Sequence, residues 1–395
     1  MIMNKISESK EYKEILLNRF TKYVQIWSES DGNAADNGIF PSTPQQFDFA
    51  KKLEQELKEI GMEDVQVTKD CYVYAKKSAS KEMENIESVL LMAHMDTVDE
   101  VSGKNVKPVI TEKDGDIIIS SDETTLLGAD DKAGISAIMT AAEYLNKNPE
   151  IPHCAFEIMF SPDEETGHGM DKVPLELIKS KSAYTVDGGD LGEMETECFN
   201  AWSAAIEFTG KATHTGTAKA EKMVNAAVMA SNFVANLPRH MAPETTSGHE
   251  GFIAVMNISG GIEKATVELL LRSFYIEEIE KEKEIIQKNA DAVASAFGGQ
   301  IKVSFNQQYL NMKEKLEQNP QVISRLSDAF KEAGVEIVNS PIRGGTDGSR
   351  LTEMGIPTPN IFTGGHNFHS RTEWCSLNQM SKASDILINL LIKNK

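Results

Sequence analysis

The sequence predicts an α/β domain, a mixed sheet flanked by helices, interrupted by a smaller inserted ferredoxin-like α+β domain. Three observations carry this expectation. Buried-strand and helical patterns alternate up to about residue 190. Between residues 202 and 310 the rhythm becomes β-α-β-β-α-β, the order of the split βαβ unit. A helix and a strand of the first kind then follow. With 395 residues the chain is too long for one small core. The expected division is 1–201 with 311–395 as one domain and 202–310 as the insertion.

Each element has its own signal. Residues 6–28 and 46–60 read as helices; in "FDFAKKLEQELKEIG" apolar residues recur at helical spacing and Gly61 ends the run. The stretch between them, "SDGNAADNGIFPSTP", is a loop by composition. Short strands are expected around Val65–Thr68 and Cys71–Ala75, and the apolar run Val89–Ala93 reads as a strand buried on both faces. "LLGADDKAGISAIMTAAEYLNK" turns helical near Asp131; "CAFEIMF" and "SAYTVDGG" are strands, the second ending at Asp187. In the insertion, "SAAIEFTGKA" alternates as a strand and "AEKMVNAAVMASNFVANL" is helical. "GFIAVMNIS" and "ATVELLLRSF" form a hairpin about Gly260-Gly261, followed by the helix "EIEKEKEIIQKNADAVASAFG" and the strand "QIKVSFNQQ". Beyond it come the helix "NPQVISRLSDAFKEAG" and the strand "TPNIF".

Composition excludes several classes. Forty basic against sixty acidic residues give a net charge of -20, which repels nucleic-acid phosphates. No apolar run is long enough to span a bilayer, and the first residues lack a signal-peptide pattern. Cys71, Cys154, Cys198 and Cys375 show no pair spacing. That points to a reducing, cytoplasmic setting and away from a thiolate zinc knuckle.

The chemistry gathers at strand ends. One predicted strand ends at His94, a second runs into Asp163, Glu164 and Glu165, and a third ends at Asp187. Asp130 stands just before a helix and His369 shortly after "TPNIF". Sites in open α/β sheets lie at the carboxyl ends of strands, so these groups converge. Two histidines with Asp and Glu carboxylates suit two divalent ions, zinc foremost. Such a pair polarises a carbonyl and an attacking water together. The adjacent glutamates then divide the work: one binds metal and the other stays free as a general base. Taken singly, each group has a plainer reading: an acidic turn is solvated, Asp130 caps a helix, and a lone histidine is structural. The coincidence of several strand ends overrides those readings. His153, His168, His240, His249 and His366 lack such support, and Asp131 and Lys132 read as setting the helix start. The glycines of "RGGTDG" and "FTGGHN" come without a Walker lysine, so a nucleotide site is not expected.

The segments "HMDTV", "SGKNVKP", "TTLLGADDKAG", "SPDEETG", "YTVDGG", "HTGTAK", "MVNA", "PIRGGTDGSRL", "GIPTPNIFTGG" and "NFHSRTEW" together resemble the co-catalytic zinc peptidases of the M20 clan. Within it they resemble the peptidase T subfamily of tripeptide aminopeptidases. The resemblance covers most of the chain from about residue 88. It implies a zinc-peptidase domain carrying an inserted lid or dimerisation domain. His94 and Asp187 would bind one zinc, Glu165 and His369 the other, and Asp130 would bridge them. Glu164 would be the general base, Asp96 would orient His94, and His214 would hold the oxyanion. The Asp130-Asp131 peptide would be cis. The resemblance matches Arg272 to the arginine that meets the substrate carboxylate; Arg343 is a second candidate anchor, with a salt-bridged surface arginine as the plainer reading of either, and Asn225 is a weaker candidate that helix packing would also explain. The implied cofactors are two Zn2+ per subunit, with Co2+ or Mn2+ as substitutes. The implied partners are a short peptide and a second copy in a homodimer, with no nucleic acid or membrane. The sequence departs from the subfamily pattern at Thr215, where proline is expected, and at Ser273, where an acid is expected. It is also shorter between "HMDTV" and "LLGADD". These departures bear on peptide length more than on the reaction. The expected activity is removal of the N-terminal residue from tripeptides by water activated on two zincs. The rivals are another hydrolase of the clan (dipeptidase, carboxypeptidase or deacylase) and a zinc-binding scaffold without catalysis.

Overall fold

The computed structural model describes residues 5–392. They form two compact units: the smaller comprises Glu197–Asn311 and Pro341–Gly345, and the rest forms the larger. The boundary differs from the expected 202–310 for a local reason. The first strand of the smaller unit already starts at Asn200, and Cys198 pairs in parallel with Ile342, which draws the 341–345 segment in.

The larger unit is built on an eight-stranded sheet. Its order is Glu63–Val67, Val73–Lys77, Phe156–Ser161, Val89–His94, Ala183–Gly188, Asn360–Phe362, Glu193–Glu195 and Val338–Asn339. Phe156–Ser161, Val89–His94, Ala183–Gly188 and Asn360–Phe362 run parallel to one another. Antiparallel pairings flank them on both sides. Val89–His94 is buried throughout, as its unbroken apolar run requires. Leu91 and Ala93 join the main core, whereas Leu90 and Met92 join a second cluster with Tyr72, Met159 and Met170. The period of two along a strand makes that split. Each such leucine or methionine contributes roughly 1.5–3 kcal/mol by leaving water. The helices Ala129–Lys147, Leu377–Leu391, Lys10–Tyr23, Gln46–Glu59 and Pro320–Ala333 supply the main core from their apolar faces.

Three local expectations give way. The first helix spans Lys10–Tyr23, capped by Ser9, which accepts the N–H of Tyr12. The segment read as one helix over 220–237 is broken, because Lys222 is left-handed at φ 55 and Asn225 caps a new helix, Ala226–Ala235. A four-stranded antiparallel sheet stands where no strands were expected, ordered Gly365–His366, Trp374–Ser376, Asp116–Ser120 and Val109–Lys113. Its hairpin turns at Asp114-Gly115, both with positive φ, a familiar turn signal.

The smaller unit has the antiparallel order Phe252–Gly260, Lys264–Ser273, Asn200–Thr209, Gln300–Tyr309. Helices Ala226–Ala235 and Ile276–Phe297 pack on it around Phe208, Phe233, Val267, Leu269 and Ile286. This is the βαββαβ arrangement with its own core.

Candidate metal centre

Parallel strands bring their carboxyl ends to one edge, and the predicted acids and imidazoles arrive there together. His94 closes its strand in register with Ser161, and the acid turn Asp163–Glu165 follows Ser161 after the single residue Pro162. Asp187 lies within Ala183–Gly188. His369 sits on the turn after Asn360–Phe362 with a left-handed backbone, φ 57. Asp130 precedes the regular part of helix Ala129–Lys147, and both Asp130 and Asp131 have non-helical angles. The peptide between them is cis, as expected.

The carboxylate of Asp130 is the hub. Its Oδ1 lies 2.8 Å from His94 Nε2 and its Oδ2 3.2 Å from His369 Nε2. His94 Nε2 also lies 3.4 Å from Asp187 Oδ1, and His369 Nε2 lies 3.2 Å from Glu165 Oε2. One carboxylate thus faces two imidazoles, each accompanied by one further acid. Glu165 Oε1 is buried without a hydrogen-bond partner, a costly state that a cation relieves. Donor atoms this close suit ions bound at roughly 2.0–2.2 Å, so the residues present fit two divalent cations.

Electrostatics point the same way. Burial pushes Glu165 up to about 8, with Asp130 adding to it, and Asp187 up to about 6. Burial and the charge of Asp187 hold Glu164 well above the carboxylate range. Hydrogen bonds to Asp130 and Glu165 carry His369 up to about 11. Burial opposes the charge on His94, yet Asp187 and Asp130 outweigh it and raise that imidazole too. Asp130 moves the other way: burial is outweighed by the hydrogen bonds from His369 and His94. Without a cation, protons balance the cluster; a dication would do so with the acids ionised.

Asp96 stands behind both His94 and the acid turn. Its carboxylate accepts the N–H groups of Glu164 (3.0 Å) and Glu165 (3.2 Å). His94 Nδ1 is 3.1 Å from the backbone carbonyl of Asp96 but 3.5 Å from its carboxylate. The carboxylate therefore holds the acid turn while also facing His94 Nδ1, and the carbonyl shares in orienting the imidazole. Asp131 also comes within the cluster: one donor atom each of His94, Asp131 and Asp187 lie within 4.8 Å of one another. Its two oxygens accept the N–H groups of His94 (3.2 Å) and Gly134 (3.1 Å), so it braces the ligand backbone. Lys132 is buried and donates to the carbonyl of Ile26, away from the chemistry.

The remaining predicted residues belong to the smaller unit. His214 Nδ1 accepts the N–H of Gly216, which leaves the proton of a neutral ring on Nε2. Arg343 donates to the carbonyls of Gly248 and Glu250 and to Thr246 Oγ1, beside the ring of Phe199. Arg272 is buried and donates to the carbonyls of Trp202 and Leu271. Asn225 does not pack inside a helix; its side chain accepts from Ala227 and Val228 as a cap.

Three buried acids near the site were given no role of their own in the sequence. Asp163 accepts from Ser42 N, Ser42 Oγ and Gln46 Nε2, docking the loop after the cis Phe40-Pro41 bond. Asp347 accepts from Ser161 Oγ (2.5 Å) and lines a small void with His94, Glu164 and Asp187. Glu373 accepts three N–H groups from the Leu127–Asp130 stretch. Each stands in a motif already singled out, but an acid in a loop gives no sign that it is buried.

Known proteins resemble this chain in sequence and in fold. Residues 90–393 match the pattern of Peptidase family M20/M25/M40. A protein named Peptidase T from Clostridium perfringens (strain 13) is 42% identical over 94% of this chain and 97% of its own. Another from Geobacillus sp. (strain WCH70) is 42% identical over 96% and 98%. Among solved structures, aminopeptidase PepT from Bacillus cereus superposes with a TM-score of 0.78 at 25% identity, covering 96% of this chain and 98% of that one. A Bacillus subtilis protein described as a dinuclear metal-binding peptidase of the M20 family gives 0.69 at 17% identity over 97% and 98%, a likeness of fold. The chain belongs to peptidase family M20/M25/M40.

Proposed function

We propose that the protein is a two-zinc aminopeptidase that removes the N-terminal residue from short peptides, tripeptides foremost. The observation that carries this reading is the Asp130 carboxylate, one oxygen toward His94 and the other toward His369, beside paired glutamates of which only Glu165 is paired with a histidine. The Peptidase T relatives support the substrate class. In this reading His94 and Asp187 would hold one ion, Glu165 and His369 the other, and Asp130 would serve both. Bound there, the ions supply Lewis acidity, polarising a carbonyl and drawing the pKa of water toward about 7. Glu164 takes the proton of the attacking water as the carbon–oxygen bond forms. It returns that proton to the amine nitrogen as the carbon–nitrogen bond breaks. Its burial-raised pKa suits a base that must also act as an acid. His214 donates from Nε2 to the developing oxyanion. Arg343, its guanidinium fixed by Gly248 and Glu250, receives the peptide carboxylate with Arg272, and Asn225 contributes through its amide nitrogen.

We further infer a homodimer through the smaller unit. Its edge strand Phe252–Gly260 exposes Val255, Met256 and Ile258, and an unpaired apolar edge invites a partner strand. A cytoplasmic setting accords with four free cysteines, all buried. No helix among the described residues is long and apolar enough to cross a membrane.

The test is hydrolysis of a tripeptide with a free N-terminus and of its N-acetylated twin, each with and without a chelator. Chelator-sensitive release of the first residue from the free peptide alone is the expected outcome. Cleavage of the acetylated peptide would instead identify a carboxypeptidase or deacylase, and silence on both with metal bound would sink the enzymatic reading.

A further inference from the structure

A metal site is only as well defined as the backbone behind its ligands, and the stretch leading into Asp130 is irregular. Gly128 is left-handed at φ 80, and Asp130 and Asp131 lie outside helical geometry. One side chain satisfies the N–H groups of this stretch. Glu373 Oε2 accepts from Leu127 (2.8 Å) and Gly128 (2.7 Å), and Oε1 accepts from Asp130 (3.1 Å). The Glu373 side chain is buried, with the residue 1% exposed. It stands four residues after His369, immediately before the strand Trp374–Ser376. That strand is fixed between Gly365–His366 and Asp116–Ser120. A single carboxylate therefore ties the backbone of Asp130, whose two oxygens face the two imidazoles, to the segment that carries His369.

We propose that Glu373 is a positioning residue of the metal centre: it sets Asp130 against His369 and thereby the affinity for divalent ions. It acts through the amide of Asp130 and the turn of His369, and it reaches no donor atom itself. The inference rests on the two-metal reading above. Its rival is a plain loop brace that stabilises the fold and leaves metal binding alone. The fold contains a control for that rival. Glu157 is also buried and accepts from Lys179 N (2.9 Å), Ser180 N (2.7 Å) and Tyr74 Oη (2.6 Å), yet it braces no candidate ligand.

The experiment titrates metal-free wild type, Glu373→Gln, Glu373→Asp and Glu157→Gln with Zn2+ by calorimetry. The same proteins are titrated with Co2+ while its visible absorption is followed. In Glu373→Gln the single amide oxygen can keep the N–H groups of Leu127 and Gly128 or that of Asp130, and the amide nitrogen opposes whichever is left. The expected result is that Glu373→Gln weakens at least one metal equivalent by about 10–100-fold and alters the Co2+ spectrum. Glu373→Asp should fall between it and wild type. Glu157→Gln should lower the melting temperature with both equivalents unchanged. Wild-type affinity and an unaltered spectrum in both Glu373 variants would overturn the proposal; if Glu373→Gln does not fold, Glu373→Asp decides alone. Failure of the wild type to take up either ion would overturn the two-metal reading itself, and this inference with it.

Discussion

Two neighbouring glutamates illustrate how position divides chemistry between like residues. Glu165 is paired with His369 and leaves one oxygen buried and open; Glu164 borders the void beneath the cluster. Glu164→Gln should retain two metal equivalents while kcat falls by about 10²–10⁴-fold, measured by steady-state kinetics beside metal analysis. Loss of metal in that variant would make Glu164 a ligand and refute its role as base. At this scale the sequence was legible where a ligand ends an apolar run, because the run announces the strand and the strand announces the edge. His94 and Asp187 were read that way. Asp347 and Glu373 were not, because their burial depends on Ser161 and on Leu127–Asp130, which are remote in the chain. The split job of Asp96 was hidden for the same reason: only the fold brings the N–H groups of Glu164 and Glu165 over it.

Among the elements, the helix Ala129–Lys147 packs directly on the strands Val89–His94 and Ala183–Gly188. A Cβ on Gly134 would collide with the carbonyl of Val186 and the carboxylate of Asp131. Gly134→Ala should therefore push the helix from the strand that bears Asp187. Expected are a lower denaturation midpoint and weaker metal binding together; wild-type values for both would show that the contact yields. The acid turn has a second tether in Asp163. Hydrogen bonds to a charged group contribute about 1.5–3 kcal/mol each, so Asp163→Ala should loosen the loop around Ser42. Faster proteolysis within residues 31–45 is the readout, and an unchanged cleavage rate would deny the tether. Periodicity revealed the helices and buried strands, but it overran 220–237, where Lys222 and Asn225 break the helix through backbone angle and cap. The Asp114-Gly115 hairpin was signalled in the sequence and passed over; Val109–Lys113 is exposed along its length, so burial patterning was silent there.

For the molecule as a whole, the net charge of -20 overstates the acidity of the surface, because several acids sit inside. Glu282 is the extreme case: it is 1% exposed, and neither carboxylate oxygen has a hydrogen-bond partner. Burial, with Glu278 adding, lifts it from 4.5 to about 9. The folded state thus keeps a proton that the unfolded chain releases. Its contribution is full below about pH 4.5 and is lost as pH rises through about 9, by at most about 1.4 kcal/mol per pH unit. Glu282→Gln should flatten the fall in stability between about pH 6 and pH 8, measured by denaturant unfolding; an identical slope in the variant would rule Glu282 out as its source. Assembly offers the complementary test. Ile258→Lys, on the exposed edge strand, should yield monomers by sedimentation, whereas a dimer that persists would place the interface elsewhere.

The parallel pairing of Asn360–Phe362 with Ala183–Gly188, and the packing of Leu377–Leu391 on Ala129–Lys147, also order events during synthesis. His94, Asp130, Glu165 and Asp187 leave the ribosome early, but His369 and the helix that backs Asp130 follow only after the whole smaller unit. A nascent chain therefore displays an incomplete, acid-rich cluster for much of its translation. Since domains fold as units while they emerge, the smaller unit can fold while the larger one waits. The candidate ligand cluster is then complete and backed only once residues 377–391 are free to dock.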